Sequence, residues 1–417
     1  MLSGVTLQSG VLASASFRRL WAASAAEEVA DDVGRTVMPL IAVTTLGAGA
    51  FEIGVLNAVS LSAFLLLGIP VGVWVDRLRK RHVLVGADLV RAAAVASVPM
   101  AYACDVLSIA QLLVVSFVVG TADVFFSVAQ STVLPRLVRV EQLQEANARL
   151  TSIQSIATLG SPGLAGILLK LVAGPVVLVV TVASYLVSAA SITTIRMDDP
   201  PVQRAPRTPF LRSAAEGLRF VTRQPVIRAL FLCSMSINSA SMFLNAVHVV
   251  YVVTDLQVAA STAALLGVFQ ALGALLGSLA AQPVVRRLGI GSTKITGSLL
   301  MVPAVAILPL ASFGPGPAEV YVGVANLSWG FLLVVAGLAG SGITPRLTPA
   351  AMLGRVTASS RLFAMGIMPI ASLAGGALAS IFSTTVVLWL GAALAGLSAL
   401  PILCSPLRHW HTFPNDR

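Results

Sequence analysis

Four acids and one arginine interrupt an apolar run near the start of the chain: Glu27, Glu28, Asp31, Asp32 and Arg35. Glu27, Asp31 and Arg35 fall at i, i+4 and i+8, on one face of a helix, and Glu28 and Asp32 form a second stripe beside it. At about 1.5 Å per residue from Leu20, Asp31 lies about 16 Å along the run, near the middle of a bilayer. Charges at that depth are costly unless they face water or one another. The spacing pairs Asp31 with Arg35 and leaves Glu28 and Asp32 less compensated. Carboxyls so placed are suited to take up and release protons, so Glu28, Asp31, Asp32 and Arg35 are candidates for proton coupling.

Two other groups of polar residues sit inside apolar runs. Arg91 lies eight residues into the third run, Asp88 is one turn from it, and Asp123 lies near the same end of the fourth run. Their matched depths predict an Asp88–Arg91–Asp123 cluster that stiffens one bundle, distinct from the first-run acids. The second half offers Asn238, Asn245, His248, Gln270 and Asn326, polar groups able to orient a ligand in a cavity by hydrogen bonds. A lone histidine on an apolar helix is more often a hydrogen-bonded packing residue.

The elements that carry these residues are membrane spans. The chain is 57% hydrophobic and only 11% charged, against about a quarter charged in soluble domains. Twelve runs are long enough to cross a core of about 30 Å: 18–46, 53–75, 83–103, 106–129, 148–170, 174–195, 226–254, 262–284, 293–312, 319–343, 356–380 and 384–404. Loops on one side hold Arg77 to Arg81, Arg136 and Arg139, Arg204 to Arg223, Arg286, Arg287 and Lys294, Arg346 and Arg355, and Arg408 and Arg417. Loops on the other hold Glu52, Asp105, Asp255 and Glu319, with Lys170 the one basic residue. The positive-inside bias then puts both termini in the cytoplasm of a bacterial cell whose inner membrane the chain crosses many times. That asymmetry accounts for the net charge of +10 without nucleic acid. The start of the chain lacks a cleavable signal pattern, because Arg18 and Arg19 precede a run too long for one. Cys104, Cys233 and Cys404 have no metal-type spacing and read as core residues.

The longest loop, 197–224, divides the chain into a six-span bundle at 12–196 and another at 225–405, followed by a cytoplasmic tail at 406–417. Within that loop Leu211, Ala214, Ala215, Leu218 and Val221 recur at helical spacing, which predicts an amphipathic linker helix on the inner membrane surface. Shifting the first half by 210 residues brings Pro135-Arg-Leu137 onto Pro345-Arg-Leu347, Gly120 onto Gly330, Gly166 onto Gly376 and Arg18 onto Arg228. A same-order repeat implies two all-α bundles related by an axis along the membrane normal, a geometry found in transporters.

The stretch Gly72-Val-Trp-Val-Asp-Arg-Leu-Arg-Lys-Arg81 resembles the loop between helices 2 and 3 of the major facilitator superfamily, approximately Gly-x-Leu-Ala-Asp-Arg-x-Gly-Arg-Lys. Gly72, Asp76, Arg77, Lys80 and Arg81 match, and Arg79 replaces the second glycine. Asp31-x-x-x-Arg35-x-x-x-Pro39, Asp88-x-x-Arg91 and Leu143-x-x-Ala146-Asn147 are similar to a branch that includes the enterobactin exporter and macrolide-efflux-type proteins. In that family helix 2 packs near helix 11 and helix 8 near helix 5. The resemblance with the repeat then implies a charge-swapped latch, Asp76–Arg355 and Glu145–Arg286, with Arg77 and Arg81 beside it, closing the cytoplasmic side. Asp76 ends a helix, where the dipole disfavours an acid unless a cation answers it.

The expected function is therefore a proton-coupled antiporter that exports amphipathic small molecules such as drugs, siderophores or secondary metabolites, acting as a monomer in the bilayer. Uptake or flipping of a solute or lysolipid fits the same fold, and a non-transporting receptor is a remoter reading. No Gly-rich phosphate-binding motif with its lysine is present, and no metal-ligand cluster or converging nucleophiles point to an enzyme or a cofactor.

Overall fold

A computed structural model describes residues 11–195 and 210–410, and these residues are almost entirely helical. The helices are α1 (Ala15–Leu46), α2 (Ala50–Arg77), α3 (Lys80–Ala103), α4 (Ile109–Leu137), α5 (Leu143–Leu171), α6 (Gly174–Thr193) and α7 (Phe210–Arg223). The second half adds α8 (Pro225–Val250), α9 (Ala260–Leu288), α10 (Ile290–Leu310), α11 (Ala318–Leu338), the short α12 (Ile343–Leu347), α13 (Ala350–Ile381), α14 (Thr384–Leu397) and the short α15 (Leu400–Leu403). Connections are short and their ends are capped. Ser14 accepts from the Phe17 N–H ahead of α1, Ser108 caps α4, Ser383 caps α14, and Glu52 accepts the Gly49 N–H at 3.0 Å.

By length and composition, 11 segments of the described residues suit a membrane span. The continuous α1 is not among them, because its internal acids and arginines lower its mean hydropathy. The 210-residue offset reappears in the boundaries. Ala15, Ala50, Lys80 and Gly174 open helices, and so do Pro225, Ala260, Ile290 and Thr384. It reappears in the contacts as well. Gly120 lets α4 meet the Ser60 carbonyl on α2, and Gly330 lets α11 meet the Gln270 carbonyl on α9. Across the halves, Gly166 of α5 abuts Ser261, and Gly376 of α13 abuts Phe51. Each contact becomes the other when 210 is added to one residue and subtracted from its partner. Only glycine allows backbones this close.

Buried apolar contact between the halves is confined to one end. A single core there joins Ile41, Ile53 and Leu56 of the first half to Phe243, Val247 and Ala371 of the second. Toward the opposite end, which carries the basic loops, the halves have separate cores. One gathers Phe17, Leu20, Leu84 and Phe126, and the other gathers Val226, Ile290, Ile402 and Leu407. Among the described residues, the halves are therefore joined by a buried core at the far end and share none at the basic end.

Two expectations need correction, and a third gains a protein partner. The linker helix α7 packs against α8 and α13: Val221 is fully buried in a small core with Ile227 and Val356, and Gly217 sits directly on the backbone of α13. The side chains of Leu211 and Ala214, the Pro-rich segment before α7 and the tail beyond Trp410 lie outside the described residues. Lys294 is not a loop residue but lies inside α10 with 5% exposure. Of the three cysteines only Cys233 is buried, since Cys104 and Cys404 fall at exposed helix ends.

Candidate functional site

The guanidinium of Arg91 on α3 is completely buried and is the centre of the site. Its Nη1 donates to Asp123 on α4 at 2.7 Å, to Glu27 on α1 at 3.1 Å and to Asp31 on α1 at 3.5 Å. Its Nη2 donates to Asp88, one turn away on α3, at 2.5 Å. The guanidinium lies 4.6 Å from the ring centres of both Phe126 and Tyr185, so two aromatic faces exclude water from it. Tyr185 of α6 also donates its hydroxyl to Asp31 at 2.5 Å. A planar fork with five N–H donors is the one side chain that can serve acids on three helices at once.

Asp31 links this buried centre to an exposed one. Its second oxygen accepts from Arg35 at 3.3 Å, and Arg35 also reaches Asp32 at 3.4 Å. The Arg35 side chain is 67% exposed although it lies deep within α1, and it lines a cavity of about 270 Å³. Asp32 accepts in addition from the Thr158 hydroxyl of α5 at 3.3 Å. Glu28 is half-buried, and among the described residues no hydrogen bond or ion pair of its side chain is found. The linked network holds five acids (Glu27, Asp31, Asp32, Asp88, Asp123) and two arginines, an excess of 5 − 2 = 3 carboxyls.

The predicted Asp31–Arg35 pair and the Asp88–Arg91–Asp123 cluster are thus both present, but as parts of one network. Depth explains why they looked separate. Hydropathy starts the third run at Val83, whereas α3 starts at Lys80. Arg91 is then 91 − 80 = 11 residues into α3, level with Glu27, which is 27 − 15 = 12 residues into α1. Glu27, Tyr185 and Thr158 were missed as site residues. Glu27 carried a signal in its spacing from Asp31. Tyr185, by contrast, looks like any aromatic in an apolar helix.

The second half contributes a cavity of about 330 Å³, lined by all five predicted residues, Asn238, Asn245, His248, Gln270 and Asn326. Asn326 donates to the Leu266 carbonyl at 3.0 Å, while His248 Nε2 is buried without a hydrogen-bond partner. Asn245 also lines the first cavity and accepts from Asn57 of α2 at 3.0 Å, so Asn245 and the neighbouring Met242 are shared by both. These residues stand where the halves meet.

The latch residues are placed differently from expectation. Glu145 accepts from the Val11 N–H at 3.4 Å and pairs with Arg149 one turn along α5 at 3.7 Å. Arg286 is exposed, and no Glu145–Arg286 bridge forms among the described residues. The local partner wins because the halves lack a common core at this end. Arg355 of α13 pairs with Glu216 of α7 at 2.6 Å. The side chain of Asp76 lies outside the described residues. Arg77 is exposed at the end of α2, and Arg81 donates to the Thr193 carbonyl of α6.

Comparisons with known proteins agree on the architecture. The chain is 26% identical to macrolide efflux protein A of Streptococcus pyogenes over 46% of this chain and 48% of that protein. It is 25% identical to the multidrug efflux pump Tap of Mycolicibacterium fortuitum over 59% of this chain and 61% of that protein. The chain therefore spans about half to three fifths of the length of these curated relatives. The fold is that of the nucleoside transporter NupG, a mutant form of which gives a TM-score of 0.75 at 14% identity over 93% of this chain and 99% of that one. A bacterial homologue of the iron transporter ferroportin in its inward-facing state gives 0.72 at 16% identity over 93% and 98%. Residues 21–368 match the sequence profile of one family, and the chain accordingly belongs to the Major Facilitator Superfamily of membrane transport proteins.

Proposed function

We propose that this chain is a proton-driven exporter of amphipathic small molecules, built from twelve spans in two six-helix bundles, 12–196 and 225–405, that rock about a shared central site. In this reading α1 is the twelfth span, 197–224 is the linker, and both termini and the tail from 406 face the cytoplasm of a bacterial inner membrane. One observation carries the proposal: three carboxyls more than arginines, held in a largely buried network that reaches a cavity through Arg35. Taking uncompensated carboxylates out of water is expensive, and binding protons is the cheapest relief. Rocking that alternately wets and dries the network then loads and unloads those protons. The cavity walls are shared about equally between apolar side chains such as Met38, Leu56 and Leu178 and polar ones such as Asn57, Asp123 and Thr181, a lining suited to amphipathic cargo.

The efflux relatives support export. The core shared at the far end supports an inward-facing state. Glu28 and Asp32 act as proton carriers, while Asp31 and Arg35 relay the change to the buried cluster. The latch closes in the opposite state. Arg355 leaves Glu216 for Asp76, and Arg286 reaches Glu145. Both Arg355 and Glu216 are about 40% exposed, so the pair that must break is worth about 0–1 kcal/mol.

The deciding experiment is transport in proteoliposomes under an imposed pH gradient, screened across drugs, siderophores and lysolipids. Substrate should move against proton flux and stop when the gradient is collapsed. Flux that ignores the gradient would remove proton coupling. If Asp76→Arg abolishes transport and adding Arg355→Asp restores none of it, the latch pairing is wrong.

A further inference from the structure

The second half holds a buried cation with no acid beside it. Lys294 is the fifth residue of α10 and is 5% exposed. Its Nζ donates to the Ala336 carbonyl near the C-terminus of α11 at 2.8 Å. Ammonium has three N–H donors, and this bond uses one. Among the described residues Lys294 makes no salt bridge, and no carboxylate lines the cleft into which it opens.

That cleft, of about 190 Å³, lies at the basic end between α8, α10, α12 and α13. Ser234, Thr344 and Ser360 line it, and none of their hydroxyls has a hydrogen-bond partner among the described residues. Leu230 and Phe231 form an apolar wall on one side. The lysine is admitted by a glycine: a Cβ at Gly340 would fall onto its Cε and lie 3.2 Å from Nζ. Capping the end of α11 accounts for one N–H and for part of the charge, because a helix terminus supplies about half a unit. It does not account for the remaining donors. An ammonium taken out of water needs a counter-charge, and the cleft offers this ammonium and three hydroxyls able to donate but no anion. The volume matches about six waters, enough for a small oxyanion with part of its hydration and too little for a drug-sized molecule.

We propose that this cleft is an oxyanion site in which Lys294, with Ser234, Thr344 and Ser360, binds a carboxylate or phosphate group. It supplies to the second half the negative charge that the first half holds in excess. The site does not depend on proton coupling.

The test is thermal melting of the full-length protein in detergent, with chloride replaced stepwise by acetate or phosphate at constant ionic strength. A third arm adds short-chain phosphatidylglycerol to the micelle. Wild type should show a saturable rise in melting temperature with at least one of the three. A response to acetate or phosphate assigns a free solute, and a response to the lipid alone assigns a headgroup. Lys294→Met should abolish the response, and Ser234→Ala with Ser360→Ala should weaken the midpoint about tenfold or more. Gly340→Ala, which displaces the ammonium, should act in the same direction. An unchanged midpoint in Lys294→Met overturns the proposal, as does the lack of a saturable response in wild type. Should Lys294→Met fail to fold, unchanged midpoints in both the hydroxyl and Gly340 variants overturn it equally.

Discussion

Replacing Arg91 with methionine tests whether the buried network is held together by one charge. Methionine keeps much of the bulk between Phe126 and Tyr185 but removes every donor. Four acids then lose their common partner, and Asp88, itself fully buried, keeps no cation. Removing one partner of a buried ion pair costs about 3–5 kcal/mol. Against a total stability of about 5–15 kcal/mol this is a large fraction. The second variant, Asp88→Asn added to Arg91→Met, removes one stranded charge and should recover part of the loss. A coupling energy of about 1–3 kcal/mol is expected between the two positions. Arg91→Lys should fall between wild type and Arg91→Met, because a point charge can neither fork to three helices nor stack on two rings. Equilibrium unfolding in detergent micelles, followed by tryptophan fluorescence, measures these four proteins together with Asp88→Asn alone, which closes the cycle. A loss below about 1 kcal/mol in Arg91→Met, or strictly additive losses in the double variant, would refute the single-hub account.

On the proposed mechanism, Glu28 and Asp32 should separate from the structural acids. Glu28→Gln and Asp32→Asn should each stay within about 1 kcal/mol of wild type in unfolding yet lose most gradient-driven transport, and wild-type rates in both would strip them of the role. The repeat-related glycines should behave alike. Gly120→Leu and Gly330→Leu each drive a side chain into a neighbouring carbonyl and should cost about 1–3 kcal/mol or more, so a tolerated substitution at either would contradict the close helix approach. At the far end, a Cβ on Gly54 would lie 2.7 Å from the Ser372 carbonyl, so Gly54→Leu should likewise cost about 1–3 kcal/mol or more, and a tolerated substitution would contradict the close approach of α2 and α13.

How much could be read before the structure depended on what each residue's chemistry reveals in one dimension. The five cavity residues of the second half stood out because polar groups are rare in apolar runs, and all five line one cavity. Register also survived, since an offset of 210 carried helix starts and glycine contacts with it. Lysine misled twice, for one reason. Hydropathy treats it as a loop residue, but its stem is apolar and its head can bond helix-end carbonyls. Lys80 turns back to the Val75 carbonyl at 2.7 Å and so starts α3 earlier than expected, which shifted the apparent depth of Arg91. Lys294 does the same at the end of α11. The amphipathic pattern of α7 was equally uninformative about its partner, because lipid and protein select the same apolar stripe.

The repeat also shows what the halves do not share. Adding 210 to Glu28, Asp31, Asp32 and Arg35 gives Asn238, Ser241, Met242 and Asn245, all of which line the second cavity. Adding it to Asp88, Arg91 and Asp123 gives Ser298, Met301 and Leu333. Helix positions and close glycine approaches are therefore common to both halves, while the carboxylate–arginine network belongs to the first half alone. Rigid-body rocking needs matched packing on both sides of the axis, which constrains the glycines in pairs. Ion coupling needs only one responsive cluster, and a second one would double the cost of burying acids without adding a lever. With the charges concentrated in one half, the neutral hydrogen-bonding wall of the other is left free to meet cargo. Asn245 lines both cavities and accepts from Asn57 across the interface, which under the proposed mechanism places it to pass a change in the charged half to that wall.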